Sequence, residues 1–383
     1  MSNTYDIIII GAGSIGVPTA LTLALNKKKV LCLDSLPSPG QANNKKAIGG
    51  VRATHSDFGK IKVSQRSIDI FSNWKEKYGD DIGWITNGYS FVAYNELIEK
   101  QLKETLQTRK DFGLNIKWLS PDEYEKLVPG IEMNGLRGAI YSPEDGSCSP
   151  MLACNAFYFK SIEYGATYGF NEHVADIKYT DSQFTVKTNK GIYCSKYLIN
   201  ASGNNAQAIS RLLGFDCPVV PDSHEAAITE PVQRFFEPMV VDLRASKGAS
   251  NYYFYQNHEG QVIFCITPDP LIIGSDSDAT SEFLPLCITK ILNIYPRLKN
   301  LKIRRQWRGQ YPMTPDGFPI VGTMKDNDKF IQAVGMCGQG FMLGPGLGEL
   351  LSRIIDSSLT AEDKLVLQSF DPYREFVGIE RFK

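Results

Sequence analysis

Residues Tyr5 to Asp34 read YDIIIIGAGSIGVPTALTLALNKKKVLCLD. Four consecutive isoleucines, Ile7 to Ile10, suit a strand buried on both faces of a parallel sheet. A glycine turn, Gly11-x-Gly13-x-x-Gly16, follows at once. In such a turn the first glycine permits the tight bend, the second lets a pyrophosphate approach the backbone, and the third lets the next helix pack closely on the strand. The first N–H groups of that helix, at the positive end of its dipole, face the phosphates. Pro18 falls in the first helical turn, where a missing N–H is tolerated. A second apolar strand, Val30 to Leu33, ends in Asp34, near the roughly 20-residue offset of an acid that binds a ribose hydroxyl. Strand, turn, helix, strand and terminal acid together predict a dinucleotide site. They do not choose between NAD and FAD.

A chain of 383 residues is expected to form two domains. Apolar residues make up 43% and charged residues 22%, as in ordinary globular proteins. A formal net charge of −1 leaves no electrostatic footprint for nucleic acid or an anionic membrane. The run Lys27-Lys28-Lys29 reads as a solvated turn, and Lys45-Lys46 is shorter still. No apolar run approaches the roughly 20 residues that span a bilayer. The isoleucine run lacks the basic flank and cleavage site of a signal peptide, so a cytoplasmic protein is expected. The eight cysteines are scattered without a C-x-x-C pair, which argues against a zinc site or a disulfide framework and for small core residues. The four histidines show no H-x-x-x-H pattern, and no metal is expected.

Leu36 to Gly50, LPSPGQANNKKAIGG, is a polar loop too long for a plain connector, and loops of this size are commonly functional. A helix is expected from about Asp57 to Tyr78, with Ile61, Ile68, Phe71 and Trp74 at near-helical spacing. A strand at Gly88 to Tyr94 precedes a charged helix from Asn95 to about Phe112, and Ser120 reads as the cap of another. After a helix from about Met151 to Tyr164, strands near His173 to Tyr179 and Phe184 to Lys187 pair across a loop. The strand Tyr197 to Asn200 then runs into the small-residue turn Ala201-Ser202-Gly203, repeating the logic of the opening motif. From Val219 to about Gln310, alternating aromatic-rich segments such as Asn251 to Tyr255 and Val262 to Ile266 predict an antiparallel sheet. A last buried strand, Phe330 to Gly335, leads into GMCGQGFMLGPGLGELLSRII. Glycines are costly inside a helix, so this cluster implies close approach to a ligand or to another helix.

These segments resemble, over essentially the whole chain, the D-amino-acid-oxidase-like flavoprotein family. The likeness rests on GAGSIG with Asp34, GGVR at 49 to 52, SPEDGSCSP at 142 to 150, INASG at 199 to 203, TPDGFPIVG at 314 to 322, GQGFMLGPGLGE at 338 to 349, and Phe370-Asp371-Pro372. The branch is that of sarcosine oxidase, glycine oxidase and the flavin subunits of proline dehydrogenase and heteromeric sarcosine oxidase. The resemblance implies an α/β fold. A Rossmann-like FAD-binding domain (1–84, 145–218 and 312–383) would carry an inserted, mostly antiparallel β substrate domain (85–144 and 219–311). It also implies that Gly11, Gly13, Ser14, Ile15 and Gly16 hold the FAD pyrophosphate and Asp34 the adenosine ribose. Asn43, Asn44, Lys45, Lys46, Gly49 and Gly50 would lie along the pyrophosphate and flavin, and His173-Val174 would pass the adenine. Ala201, Ser202 and Gly203 line the cofactor in this scheme, while Gly338, Gly340, Phe341 and Met342 approach the flavin ring edge. A helix N-terminus there stabilises the negative charge of reduced flavin.

The chain departs from its relatives in places. Asn43-Asn44 stand where small residues or hydroxyls are usual, and Ile48 replaces a glycine; the amides still donate hydrogen bonds. Gly309 occupies the place of a flavin-tethering cysteine, so FAD is expected to be held non-covalently. The carboxylate clamp of monomeric sarcosine oxidase, an arginine and a lysine, is replaced by His55 and Met342. No lysine lies between Gly248 and Thr289, where oxidases of this branch offer one to activate oxygen, which favours a dehydrogenase.

The resemblance implies oxidation of the C–N bond of a small amino acid, a secondary or primary amine such as proline, sarcosine or glycine, by hydride transfer to flavin N5. The product is an imine. Such a transfer needs a neutral amine, at a cost of roughly 4 kcal/mol for an ammonium with a lysine-like pKa, reduced by an apolar pocket and nearby positive charge. Arg52 is the first choice for the catalytic face, by forked hydrogen bonds, against a structural ion pair at a turn. His55 would bind a carboxylate or carry a proton, against a surface or capping histidine. Tyr253, with Tyr252 and Tyr255, offers a hydroxyl or plain core packing. Gln339 and Met342 are placed at the flavin, and Trp307 and Arg308 either line the pocket or brace the domain junction. A 2-hydroxy acid dehydrogenase or oxidase, and a non-catalytic flavoprotein subunit or assembly factor, are the alternatives. The electron acceptor (oxygen, a quinone or a partner subunit) and a homo- or hetero-oligomeric state stay open.

Overall fold

The computed structural model describes residues 3–378. The opening strand, Thr4–Ile10, lies at the heart of a sheet, parallel to Val30–Leu33 on one side and Ile192–Asn200 on the other. Thr167–Gly169 and Asn327–Val334 continue the parallel arrangement outward, and Ile320–Met324 closes one edge antiparallel. The four isoleucines are buried on both faces, but by different partners. Ile7 and Ile9 pack into a cluster with the helices Gly16–Leu25, Pro150–Glu163 and Gly340–Ile355. Ile8 and Ile10 pack instead with Ile177, Phe184 and Val186 of the hairpin Val174–Thr180/Gln183–Thr188. The α/β, Rossmann-like class is therefore observed, with β-structure covering part of the second face.

The second sheet runs, in spatial order, Ile303–Met313, Val220–Pro231, Gln261–Asp269, Gly248–Gln256, Met239–Asp242, Tyr89–Ala93, Gly138–Ser142 and Lys117–Leu119. It is antiparallel except where Met239–Asp242 runs parallel to Tyr89–Ala93. Its alternation follows the pleat. Tyr252 and Phe254 pack with the helix Phe283–Ile294, whereas Tyr253 and Tyr255 face the cluster of Tyr89 and Phe91.

Two expected helices are each split. Asp57 caps Phe58–Ser72 through Lys60 N–H, and the helix ends where the Asn73 amide bonds back to the Asp69 carbonyl at 2.9 Å; Trp74–Tyr78 then forms a separate turn. Glu96–Glu104 stops at Thr105, whose hydroxyl bonds to the Leu102 carbonyl at 3.2 Å, a competition that disfavours helix continuation. Ser120 and Glu123 form a complete capping box. Seven of the eight cysteines are buried and all are free thiols. No helix among the described residues is long and apolar enough to cross a membrane.

The late glycine cluster divides by role. A Cβ on Gly344 would run into the Ser14 backbone and one on Gly346 into the Val63 carbonyl, while one on Gly348 would sit tightly against Pro18. These three glycines let Gly340–Ile355 lie against the first helix and against Phe58–Ser72. Overpacking a tight contact costs about 1–3 kcal/mol. Gly344→Ala is therefore expected to lower the midpoint of denaturant unfolding by that equivalent, and an unchanged midpoint would contradict this packing.

Candidate functional site

A cavity of about 700 Å³ opens at the carboxyl ends of the parallel strands and extends between the two sheets. That volume is within the usual range for ligand pockets. One end is lined by Asp34, Leu36, Glu172, His173 and Val174, the middle by Gly11 to Ile15 and Ala201 to Asn205, and the far end by Arg52, Tyr89, Phe91, Tyr253, Tyr311 and Met342.

Asp34 ties the near end together. Its carboxylate accepts the Ala12 N–H at 2.7 Å and the Leu36 N–H at 2.8 Å, joining the glycine turn to the end of the second strand. At Gly13 and Gly203 an added Cβ would meet nothing within 4 Å, so the backbone there borders open space, as a pyrophosphate cradle requires. A Cβ on Gly11 would strike Ala201 and one on Gly16 would strike the Gly11 carbonyl. Gly16 does not line the cavity; it serves helix–strand packing.

The polar loop fastens itself across the middle. Asn43 Nδ2 donates to Asn204 Oδ1 at 3.0 Å, and Asn43 Oδ1 accepts the Gln310 N–H at 3.3 Å. Asn44 Nδ2 donates to the Pro150 carbonyl at 3.1 Å, while its buried Oδ1 has no partner among the described residues. Lys46 lines the cavity with its amine on Ser277 Oγ at 2.8 Å, and burial, then Lys45, lowers its pKa. Lys45 does not line it: its exposed amine bonds to Gln41. Gly49, Gly50, Ser202, Gly338, Gln339, Gly340, Phe341 and Met342 all border the cavity.

At the far end Arg52 is buried. Its Nη1 donates to the Thr54 carbonyl and, at 3.1 Å, to His55 Nδ1, and its guanidinium lies 5.7 Å from the ring centres of Tyr89 and Phe91. His55 is not where a substrate-binding role needs it. It is fully buried and does not line the cavity. Burial, and then the charges of Arg52, Lys60 and Arg109, holds its pKa well below the ordinary value. Accepting an N–H at Nδ1 puts its own proton on Nε2. His55 is thus a neutral acceptor behind Arg52, neither carboxylate grip nor proton carrier near neutral pH. Nor is it a surface or capping residue, because Asp57 makes the cap.

Tyr253 lines the cavity: its hydroxyl lies 3.1 Å from that of Tyr311, and burial raises both phenol pKa values. Tyr255 donates to the Ile48 carbonyl, and Tyr252 pairs with Ser246. Trp307 lines the cavity and donates to the Lys46 carbonyl at 2.8 Å, whereas buried Arg308 braces Asp276 at 3.0 Å. Tyr311, His224 and Asp222 were not singled out from the sequence. His224 stacks on Tyr311, centroids 3.7 Å apart, and its Nε2 meets Asp222 Oδ2 at 2.8 Å. The signal was present: Asp222 and His224 are polar at i and i+2 in a strand, hence on one face.

The family model described as FAD dependent oxidoreductase matches residues 6–354. Mouse mitochondrial sarcosine dehydrogenase is 24% identical over 93% of this chain, and the chain spans only 40% of that relative's length. Glycine oxidase of Geobacillus kaustophilus is 23% identical, with 95% of this chain and 96% of that one covered. Among solved structures, L-proline dehydrogenase from P. horikoshii is 30% identical over 98% of both chains with a TM-score of 0.90. The residues bordering the cavity fit an FAD: an acid at one end, open glycine backbone in the middle, an aromatic chamber at the other. Asp34→Ala would strand two N–H donors that now bond a charged acceptor, each worth about 1.5–3 kcal/mol. Retention of FAD through gel filtration is expected to weaken by about tenfold or more; full retention would contradict the role given to Asp34.

Proposed function

The chain belongs to the FAD dependent oxidoreductase family, and from that premise we propose that it oxidises the C–N bond of a small amino acid to an imine. The substrate would be a secondary or primary amine such as proline, sarcosine or glycine. The observation that carries this reading is the far end of the cavity, where buried Arg52 and the hydroxyls of Tyr253 and Tyr311 share a largely aromatic chamber with Met342.

FAD, when bound, supplies the hydride acceptor. The protein's part is to bind, orient and desolvate. The guanidinium of Arg52 suits a carboxylate. The paired tyrosines, kept as neutral phenols by burial, donate hydrogen bonds rather than abstract protons. Desolvation in this largely apolar chamber and the nearby positive charge of Arg52 disfavour a charged ammonium, so the amine is held with its lone pair free. No dedicated strong base is needed for that step. With Met342 in the place of a lysine, the carboxylate rests on Arg52 rather than on a two-cation clamp. The absence of lysine from Gly248 to Thr289 supports a dehydrogenase over an oxidase, and Gly309 supports non-covalent FAD. We also assign cofactor binding to residues 1–84, 145–218 and 312–383 and substrate contacts to 85–144 and 219–311.

The experiment is anaerobic mixing of the FAD-loaded protein with a panel of amino and hydroxy acids while the flavin absorbance is followed. Bleaching by proline, sarcosine or glycine, with an imine-derived product and slow recolouring in air, is the expected result. Bleaching by hydroxy acids alone would move the substrate class, and no bleaching by any compound would overturn the reading.

A further inference from the structure

Behind Arg52 sits a carboxyl group that the proposed reaction does not use. Asp145, 1% exposed, is not among the residues lining the cavity. Its Oδ1 accepts the Ala53 N–H at 2.8 Å and its Oδ2 accepts the Thr54 hydroxyl at 2.8 Å; that hydroxyl also meets Ser142 Oγ at 2.7 Å. The Thr54 carbonyl in turn receives Nη1 of Arg52. One carboxyl therefore grips the two residues that follow Arg52, one of which holds the guanidinium.

Burial pushes the pKa of Asp145 up to about 7, against the pull of Ala53, Thr54 and Arg52, with Glu144 adding to the rise. Other titratable groups around it change little in this range. Tyr89, on the neighbouring strand, is raised to about 12, and burial also raises Tyr141. His55 is held neutral.

We propose that Asp145 is a positioning residue that sets how strongly Arg52 holds a carboxylate in the cavity, its neutral form leaving the guanidinium charge to the ligand and its ionised form competing for it. The inference rests on the reading of Arg52 as the carboxylate site. The sign follows from charge: an anionic ligand and an ionised Asp145 repel, so ligand binding favours the protonated carboxyl. Carboxylate affinity is highest below about pH 7 and falls as the pH rises through that value. Two unit charges roughly 10 Å apart at an effective dielectric near 20 make that fall about tenfold.

The test titrates the FAD-loaded protein with acetate, a carboxylate without an amine, from about pH 5.5 to 8.5, where acetate stays ionised. The readout is the perturbation of the visible flavin spectrum. The wild type is expected to bind acetate about tenfold more weakly at the upper end, with the break near pH 7. Asp145→Asn should bind with no break. Thr54→Val removes a donor that lowers the pKa of Asp145, so its break should move to higher pH; this variant keeps the carboxyl and serves even if Asp145→Asn does not fold. A wild type without a break, a break that persists in Asp145→Asn, a break unmoved in Thr54→Val, or no acetate-induced change at any pH would each overturn the proposal. A break that persists would belong to another group. Because acetate is not oxidised, the result is independent of the amine panel. A protein inert to every amine can still show the Asp145-dependent break, and an active amine oxidoreductase can lack it.

Discussion

The ligand site depends on one close contact, that of the glycine face of Gly340–Ile355 against the first turn of Gly16–Leu25. Gly344 leaves no room for a Cβ over the backbone of Ser14, and Gly348 leaves only a tight fit over that of Pro18. A methyl group at Gly344 would overlap the Ser14 backbone and force the helices apart, and dispersion falls off steeply over such a gap. Held there, the late helix carries Gln339 and Met342 to the same cavity as Gly13 and Ser14. Asp34 performs the matching task across the sheet, fixing Ala12 and Leu36 with one carboxylate. Neither contact touches the reacting atoms, yet together they determine where a ligand bound at the turn must end.

What was legible in the sequence was what local rules govern. The isoleucine run, the glycine turn, Asp34, the Ser120 cap and the alternation of Tyr252 to Tyr255 each follow from backbone geometry within a few residues. The breaks at Asn73 and Thr105 escaped because apolar spacing continues through them, while a side-chain bond to a carbonyl stops the helix. The hairpin Val174–Thr180/Gln183–Thr188 was legible as two pairing strands, but not its place over Ile8 and Ile10, because a strand's own residues say that a face is buried, not by what.

Residues of the far chamber were harder to read, since they come from strands that meet only in the sheet. His224 lies opposite Gly309 in the pairing of Val220–Pro231 with Ile303–Met313, and Tyr311 stacks on it from that partner strand. Its significance depends on that register, which no local pattern gives. At His55 the family resemblance implies a ligand-facing group, in the place of a clamp arginine, but the chain folds so that Arg52 donates to both Thr54 and His55, and the imidazole does not line the cavity.

That placement explains why a histidine suits the position. The site is fully buried, with Arg52, Lys60 and Arg109 close enough to depress its pKa. An arginine cannot shed its proton, so there it would add a permanent charge to an already cationic, poorly solvated cluster, where desolvation costs several kcal/mol per ion. Histidine resolves the conflict by deprotonating, and its free Nδ1 lone pair then accepts a hydrogen bond from Arg52. A two-cation clamp built on position 55 is therefore incompatible with this interior. At position 55 the chain thus carries an acceptor for Arg52 rather than a second cation, and under the proposed function Arg52 alone would meet an anionic group at this end of the cavity.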